Sequence, residues 1–185
     1  MTRLARAFLA IVPPAPVLEA IDERLGPLRA GEPQLRWLPR SQWHLTVQFL
    51  GPVADDDPLT TAVRDALTRV APFTARLAGA GAFPTPGRAT VAWIGVEDTA
   101  VLDALATMVR TATAALGYEP ERRTYHPHLT VGRLARPQSL TPCLDAFGAA
   151  PVGPPWTVGE LALIQSDTRP EGAVHTVRSL LPFNA

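Results

Sequence analysis

A chain of 185 residues is long enough for one domain with a sizeable core, or for two small lobes. Hydrophobic residues make up 46%, charged residues 18%, and the formal net charge is zero, a balance that excludes a disordered chain and points to an ordinary globular protein. Every one of the 17 basic residues is arginine, which excludes lysine chemistry such as a Schiff base or a P-loop.

Arg6 to Val12 reads as a first strand, ended by Pro13-Pro14. Pro16 suits the first turn of a helix to about Arg29, with Val17, Ile21, Leu25 and Leu28 at helical spacing. Gly31 and Pro33 break it, Leu35 to Pro39 is extended, and Gln42 to Leu50 reads as a strand closed by Gly51-Pro52. Asp55-Asp56-Asp57-Pro58 starts the next helix, which carries Leu59, Val63, Ala66, Leu67 and Val70 on one side. Phe73 to Phe83 and Ala89 to Val96 read as two strands joined by a turn over Pro84 to Arg88. Asp98 to Leu116 is a helix with Leu102, Leu105, Val109 and Ala112 as its core stripe and Gly117 as its stop. An irregular stretch through Arg122-Arg123 leads to a strand over Pro127 to Leu134 and a short helix near Ser139 to Phe147. After Pro-rich Pro151 to Pro155, two strands close the chain, Trp156 to Gln165 and Ala173 to Leu181, joined by Asp167 to Gly172.

One tetrapeptide recurs. His44-Leu45-Thr46-Val47 and, 84 residues later, His128-Leu129-Thr130-Val131 both read HLTV, each in strand-forming surroundings. Side chains two apart on a strand share a face, so each His projects with its Thr while Leu and Val turn to the core. Each half of the chain reads helix, motif strand, helix, strand, strand, which makes an internal duplication the expectation. The predicted fold is α+β: two pseudo-two-fold lobes, each a mainly antiparallel sheet with helices outside, in one bilobal domain over residues 1–185. The motif strands belong side by side, with the active cleft between the lobes. The windows Arg36–Pro52 and Pro120–Arg136 hold Arg36, Arg40, Arg122, Arg123, Arg133 and Arg136 against one acid, Glu121, a net +5 that favours an anionic ligand.

These residues resemble the two-histidine (2H) phosphoesterases, in particular the RNA 2′,3′-cyclic phosphodiesterases, or 2′-5′ RNA ligase-like proteins. The resemblance covers nearly the whole chain. It rests on Arg36-Trp37-Leu38-Pro39 leading into His44 to Gly51, on Arg88 to Val96 as a central strand, and on Pro127 to Arg133 as the second motif with its trailing arginine. It implies metal-independent opening of 2′,3′-cyclic phosphates at RNA 3′ ends or on nucleotides, leaving a 2′-phosphate. Carried over, His44 is the general acid and His128 the general base, with Thr46 and Thr130 on the phosphate and Arg133 and Phe49 lining the cleft. The pseudo-symmetry leaves the two histidine roles interchangeable on the sequence alone. The chemistry agrees: histidine titrates near neutrality, so a base for water and an acid for the leaving oxygen can coexist, while hydroxyls and arginines stabilise charge on the phosphoryl oxygens.

Two residues fit less simply. Arg133 lies five residues after His128 and Phe49 five after His44, so strict alternation points both away from the histidine face unless a bulge near Gly132 re-aims the strand. His126, His128 and the remaining histidine, His175, invite a zinc reading, but no Cys cluster or carboxylate pattern completes a ligand set. The family more often shows an arginine or aromatic residue at His126, and commonly a tyrosine near His175. The four tryptophans read as core, with Trp37 able to rim a cleft. No apolar run approaches the ~18 residues of a membrane span, and Met1 to Val12 is a poor signal peptide. The lone Cys143 reads as a small partly buried residue and suits a reducing cytoplasm. The expectation is therefore a cytoplasmic monomer that needs no cofactor or metal. The rival readings are joining of RNA ends through a 2′-5′ linkage, and a non-catalytic binder of 2′-phosphate or cyclic-phosphate RNA ends.

Overall fold

The computed structural model describes residues 3–54, 58–119, 123–169 and 172–184. The predicted Asp55 to Asp57 helix start and the Arg122 cation lie outside them. The fold is α+β, built on one curled antiparallel sheet. Its strands are β1 (Arg3–Ile11), β2 (Arg36–Trp37), β3 (Leu45–Ala54), β4 (Phe73–Phe83), β5 (Ala89–Val96), β6 (Leu129–Gln138), β7 (Pro151–Val158), β8 (Glu160–Arg169) and β9 (Gly172–Pro182). The helices are α1 (Ala15–Arg29), α2 (Leu59–Leu67), α3 (Ala100–Ala114) and α4 (Thr141–Phe147).

Strand order is β7-β4-β5-β6-β3-β1-β8-β9, with β2 also paired to β6. The two motif strands are the central pair, with β7, β4, β5, β6 and β2 in one half of the sheet and β3, β1, β8 and β9 in the other. The halves of the chain do not map onto the halves of the sheet. β4 and β5, which follow the first motif, join β6; β8 and β9, which follow the second, join β1 and β3. Helices exchange as well, α1 packing on β7 and α4, and α2 packing on α3 and β9. Each lobe is thus built by both halves of the chain.

The helices bury the stripes that their spacing predicts: Val17, Ile21 and Leu25 on α1, Leu59, Val63 and Leu67 on α2, Leu102, Leu105 and Val109 on α3. They cover one face of the sheet, where Leu45, Val47, Leu129 and Val131 enter the main core. Across the sheet, Phe8, Ala10, Ala162 and Ile164 form a second, smaller cluster on the other face.

Several strands run past their predicted ends, β6 to Gln138 and β8 to Arg169 among them. β3 continues through Gly51-Pro52 to Ala54, because Gly51 adopts a φ of 73° at an irregular step opposite Ala7. The predicted strand Trp156 to Gln165 is instead two strands divided at Gly159, and the Pro-rich segment belongs to the first of them. β7 tolerates its prolines because it is an edge strand, paired only with β4.

Candidate active site

The seam between the lobes is short. β3 and β6 pair antiparallel at Leu45 and Leu129. Beyond that pair, β3 runs on with β1, while β6 takes β2 as its neighbour, with Leu38 N–H donating to the Val131 carbonyl at 2.8 Å. The strands therefore splay, and a cleft opens at the seam. The antiparallel rule sets His44 across from Thr130 and His128 across from Thr46, about a local two-fold through the leucine pair. Diagonal neighbours of this kind stand about 7–8 Å apart at their backbones.

Each strand carries a bulge at the last residue of its motif. Thr46 and Gln48 face consecutive residues of β1, Ala10 and Leu9, so Val47 is the extra residue. Thr130 and Gly132 likewise face Trp93 and Ala92 of β5, so Val131 is extra. The bulge shifts the alternation by one, and this answers the objection to Phe49 and Arg133. Phe49 returns to the histidine face, where Phe8 lies 5.9 Å from it and 4.6 Å from His44 between ring centres. Arg133 returns to the same face, close enough for its charge to act on His44. Phe49 is 52% exposed, so it is a cleft residue and not a core one. Gly132 itself has no positive φ. Its role is clearance, since a β-carbon there would stand 2.8 Å from Leu35 Cγ.

The two imidazoles are held alike. His128 Nδ1 lies 2.6 Å from the carbonyl of His126, which only accepts, so the proton sits on Nδ1. His44 is bonded to the backbone of Gln42, again two residues upstream. Tyr125 pins the approach to His128 by donating to the Thr46 carbonyl at 3.1 Å, under the Arg110 guanidinium. Among the described residues no hydrogen bond occupies the hydroxyl of Thr46 or Thr130.

The surroundings of the rings differ. His44 stacks on Phe8 and meets the edge of His175, whose ring centre is 5.1 Å away. Burial first, then repulsion from His175, pushes His44 down to about 4, against the pull of the Gln42 bond; the charges of His128 and Arg133 act in the same downward direction. Burial also lowers His175, whose Nδ1 has no hydrogen-bond partner. His128 meets Phe83 edge-on at 4.9 Å, and His126 lies between Phe83 and Trp93 at 5.7 and 4.7 Å. The rings of His126 and His128 lie 6.3 Å apart and nearly parallel, side by side and not converging. Among the described residues no three His, Cys, Asp or Glu side chains gather as a metal-ligand set.

The described arginines flanking the motifs are placed differently. Arg133 and Arg36 are register partners on β6 and β2. Arg40 is instead turned to Asp22, bonding its carboxylate at 2.6 Å alongside Arg29. Trp37 does not rim the cleft: it packs against the main core and lines an interior cavity with Leu25, Leu28 and Ile94. Trp93, expected in the core, forms part of the cleft wall. Phe8 and Phe83 are site neighbours that the sequence did not single out, while Trp93 reads there as core and His175 only as a candidate metal ligand. The available signal was weak: aromatic or histidine side chains on strands adjacent to the motif strands, visible only once strand order is known.

Known proteins resemble this chain in sequence and in fold. Residues 14–170 match the family described as the 2′-5′ RNA ligase superfamily. The RNA 2′,3′-cyclic phosphodiesterase of Methanothermobacter thermautotrophicus is 30% identical over 92% of this chain and 95% of its own. That of Thermus thermophilus is 33% identical over 93% and 87%. Among solved structures, TT0787 of Thermus thermophilus superposes with a TM-score of 0.78 at 29% identity, over 97% of this chain and 98% of that one. Escherichia coli LigT complexed with 3′-AMP gives 0.74 at 25%, over 98% and 99%. By its paired motif strands, its cleft and this match along most of its length, the chain belongs to the 2′-5′ RNA ligase superfamily of 2H phosphoesterases.

Proposed function

We propose that this protein opens 2′,3′-cyclic phosphates at RNA 3′ ends or on nucleotides to 2′-phosphomonoesters, using His44 and His128 as acid and base and no metal. The observation that carries this reading is the Leu45–Leu129 pair, which sets two His-x-Thr faces diagonally across one cleft. The names of the relatives, RNA 2′,3′-cyclic phosphodiesterases, support the substrate class.

His128, with its proton fixed on Nδ1, offers Nε2 to a water molecule. Water gives one of its own protons to Nε2 as its oxygen attacks phosphorus in line; the P–O3′ bond breaks, and His44 protonates the departing 3′ oxygen. Thr46, Thr130 and Arg133 donate to the non-bridging oxygens, where negative charge builds. Solvent then returns both rings to their starting forms.

A ring held near 4 is a poor acid in the empty cleft at pH 7. The substrate supplies the remedy. A phosphoryl anion ~4 Å from His44 at an effective dielectric of ~20 is worth about 4 kcal/mol, or about 3 pKa units, enough to bring the ring near neutrality. Protonation of His44 is thereby coupled to the arrival of the substrate. Phe49, exposed at the cleft edge, offers an apolar face to the base. We further propose a monomer working in a reducing cytoplasm; no helix among the described residues is long and apolar enough to cross a membrane.

The test is turnover of a 2′,3′-cyclic mononucleotide in EDTA, with the product followed by phosphorus NMR. A 2′-phosphomonoester formed at an undiminished rate is expected. Loss of activity in EDTA would restore a metal mechanism, a 3′-phosphate would reverse the leaving group, and binding without turnover would make the protein a module for such ends.

A further inference from the structure

One cation at the cleft has no task in the mechanism above. Arg36 stands directly across from Arg133 on paired antiparallel strands, so both side chains rise from the same face of the sheet. Arg133 faces the reacting centre. Arg36 reaches outward from it, to the opposite lobe: its Nη1 lies 3.4 Å from where a β-carbon on Gly172 would stand, at the start of β9. Gly172, with a φ of 134°, keeps that space open. Gln42 anchors the same strand start by donating to the Ala173 carbonyl at 2.6 Å. Arg36 therefore spans the mouth of the cleft from one lobe to the other.

Its nearest charged neighbour across the strands is another arginine. Among the described residues no carboxylate lies within ion-pair distance of Arg36 or Arg133; the two ion pairs both belong to Asp22. Each guanidinium raises the energy of the other, and the repulsion adds to burial in lowering the proton affinity of Arg133. One phosphoryl monoanion, already served by two hydroxyls and Arg133, leaves a second cation uncompensated. Two like charges held side by side, with no acid paired to either among the described residues, match two anions in sequence.

We propose that Arg36 binds the phosphodiester on the 5′ side of the terminal nucleotide, so that the cleft prefers an RNA chain ending in a cyclic phosphate over a cyclic mononucleotide. This rests on the function proposed above and deepens it by naming the substrate class. The contact is to a group that does not react, so it acts on binding in ground and transition states alike and shows in KM.

The test compares two substrates, a cyclic mononucleotide and a short RNA ending in a 2′,3′-cyclic phosphate, with the parent, Arg36→Gln and Arg36→Lys. For the parent, kcat/KM for the RNA exceeds that for the mononucleotide. Arg36→Gln lowers this ratio about tenfold, mainly through KM, and Arg36→Lys restores most of it, since charge is what the contact needs. The salt slope of RNA binding becomes shallower by about 0.7 in Arg36→Gln, the loss of one phosphate contact to a single strand. Anisotropy with RNA and mononucleotide bearing a terminal 2′-phosphate reads the same preference without turnover, so it stands even where hydrolysis fails. A parent that does not distinguish the two ligands overturns the assignment, as does an Arg36→Gln that weakens both equally or neither. Circular dichroism and a matching Tm identify any variant that has merely unfolded, and Arg36→Lys then decides. Absence of hydrolysis of both substrates by the parent, with the binding preference intact, would count against the proposed function alone.

Discussion

Replacing His44 by glutamine will change how the stability of this protein depends on pH. The ring is stacked on Phe8 and edged by His175, and in the fold its proton affinity falls from about 6.5 to about 4. The folded state thus favours the neutral ring. That contribution is fully present above pH 6.5 and is lost as pH falls from 6.5 towards 4, where the unfolded chain takes up a proton that the fold refuses. Between pH 7 and pH 5 the loss attributable to this one ring is about 2 kcal/mol, and over the whole window about 3 kcal/mol. Urea unfolding of the parent and His44→Gln at pH 7 and pH 5 isolates it, because groups common to both proteins, His175 included, largely cancel in the difference. The parent is expected to lose about 2 kcal/mol more than the variant. Equal losses, or a His44 proton titrating near 6.5 by NMR, would refute the argument that burial keeps this ring neutral.

Inorganic phosphate added to the parent should raise the titration of His44 by about 3 units, towards neutrality, as the anion enters the cleft; an NMR titration that phosphate leaves unmoved would break the link between substrate and acid. Thr46→Val and Thr130→Val should each lower kcat/KM on the order of 10²-fold by removing a donor to the phosphoryl oxygens, with Tm little changed. Gly81→Ala puts a methyl group into the Trp93 indole, which walls His126 and His128; it should cost about 1–3 kcal/mol in thermal unfolding and reduce turnover. Gly87→Ala, with no atom within 4 Å of the new carbon, is the matched control and should do neither.

The site was legible in the sequence to the extent that it is local. Period-2 alternation in HLTV places Leu45, Val47, Leu129 and Val131 in the core, and the histidines with their threonines on the other face follow from that alone. Helices with clean apolar stripes were equally readable. What failed was nonlocal or local against the usual rule. No periodicity tells that β4 and β5 leave the first motif to join the second, because strand order depends on pairings distant in the chain. Proline argues against a strand, yet Pro151, Pro154 and Pro155 lie in one, because an edge strand needs only one set of partners. The bulges at Val47 and Val131 invert the faces of Phe49 and Arg133, and a bulge leaves no mark in composition. His175 reaches His44 only through β1 and β8, two strands that stand between β3 and β9.

In the proposed mechanism His44 and His128 transfer protons in one concerted displacement, so neither acts without the other. Kinetics of His44→Ala, His128→Ala and the double variant on a cyclic mononucleotide should therefore show single losses of about 10²–10⁴ in kcat and a double loss little larger than the greater single one. Single variants that retain a tenth or more of the parent rate, or losses that simply multiply, would contradict the account.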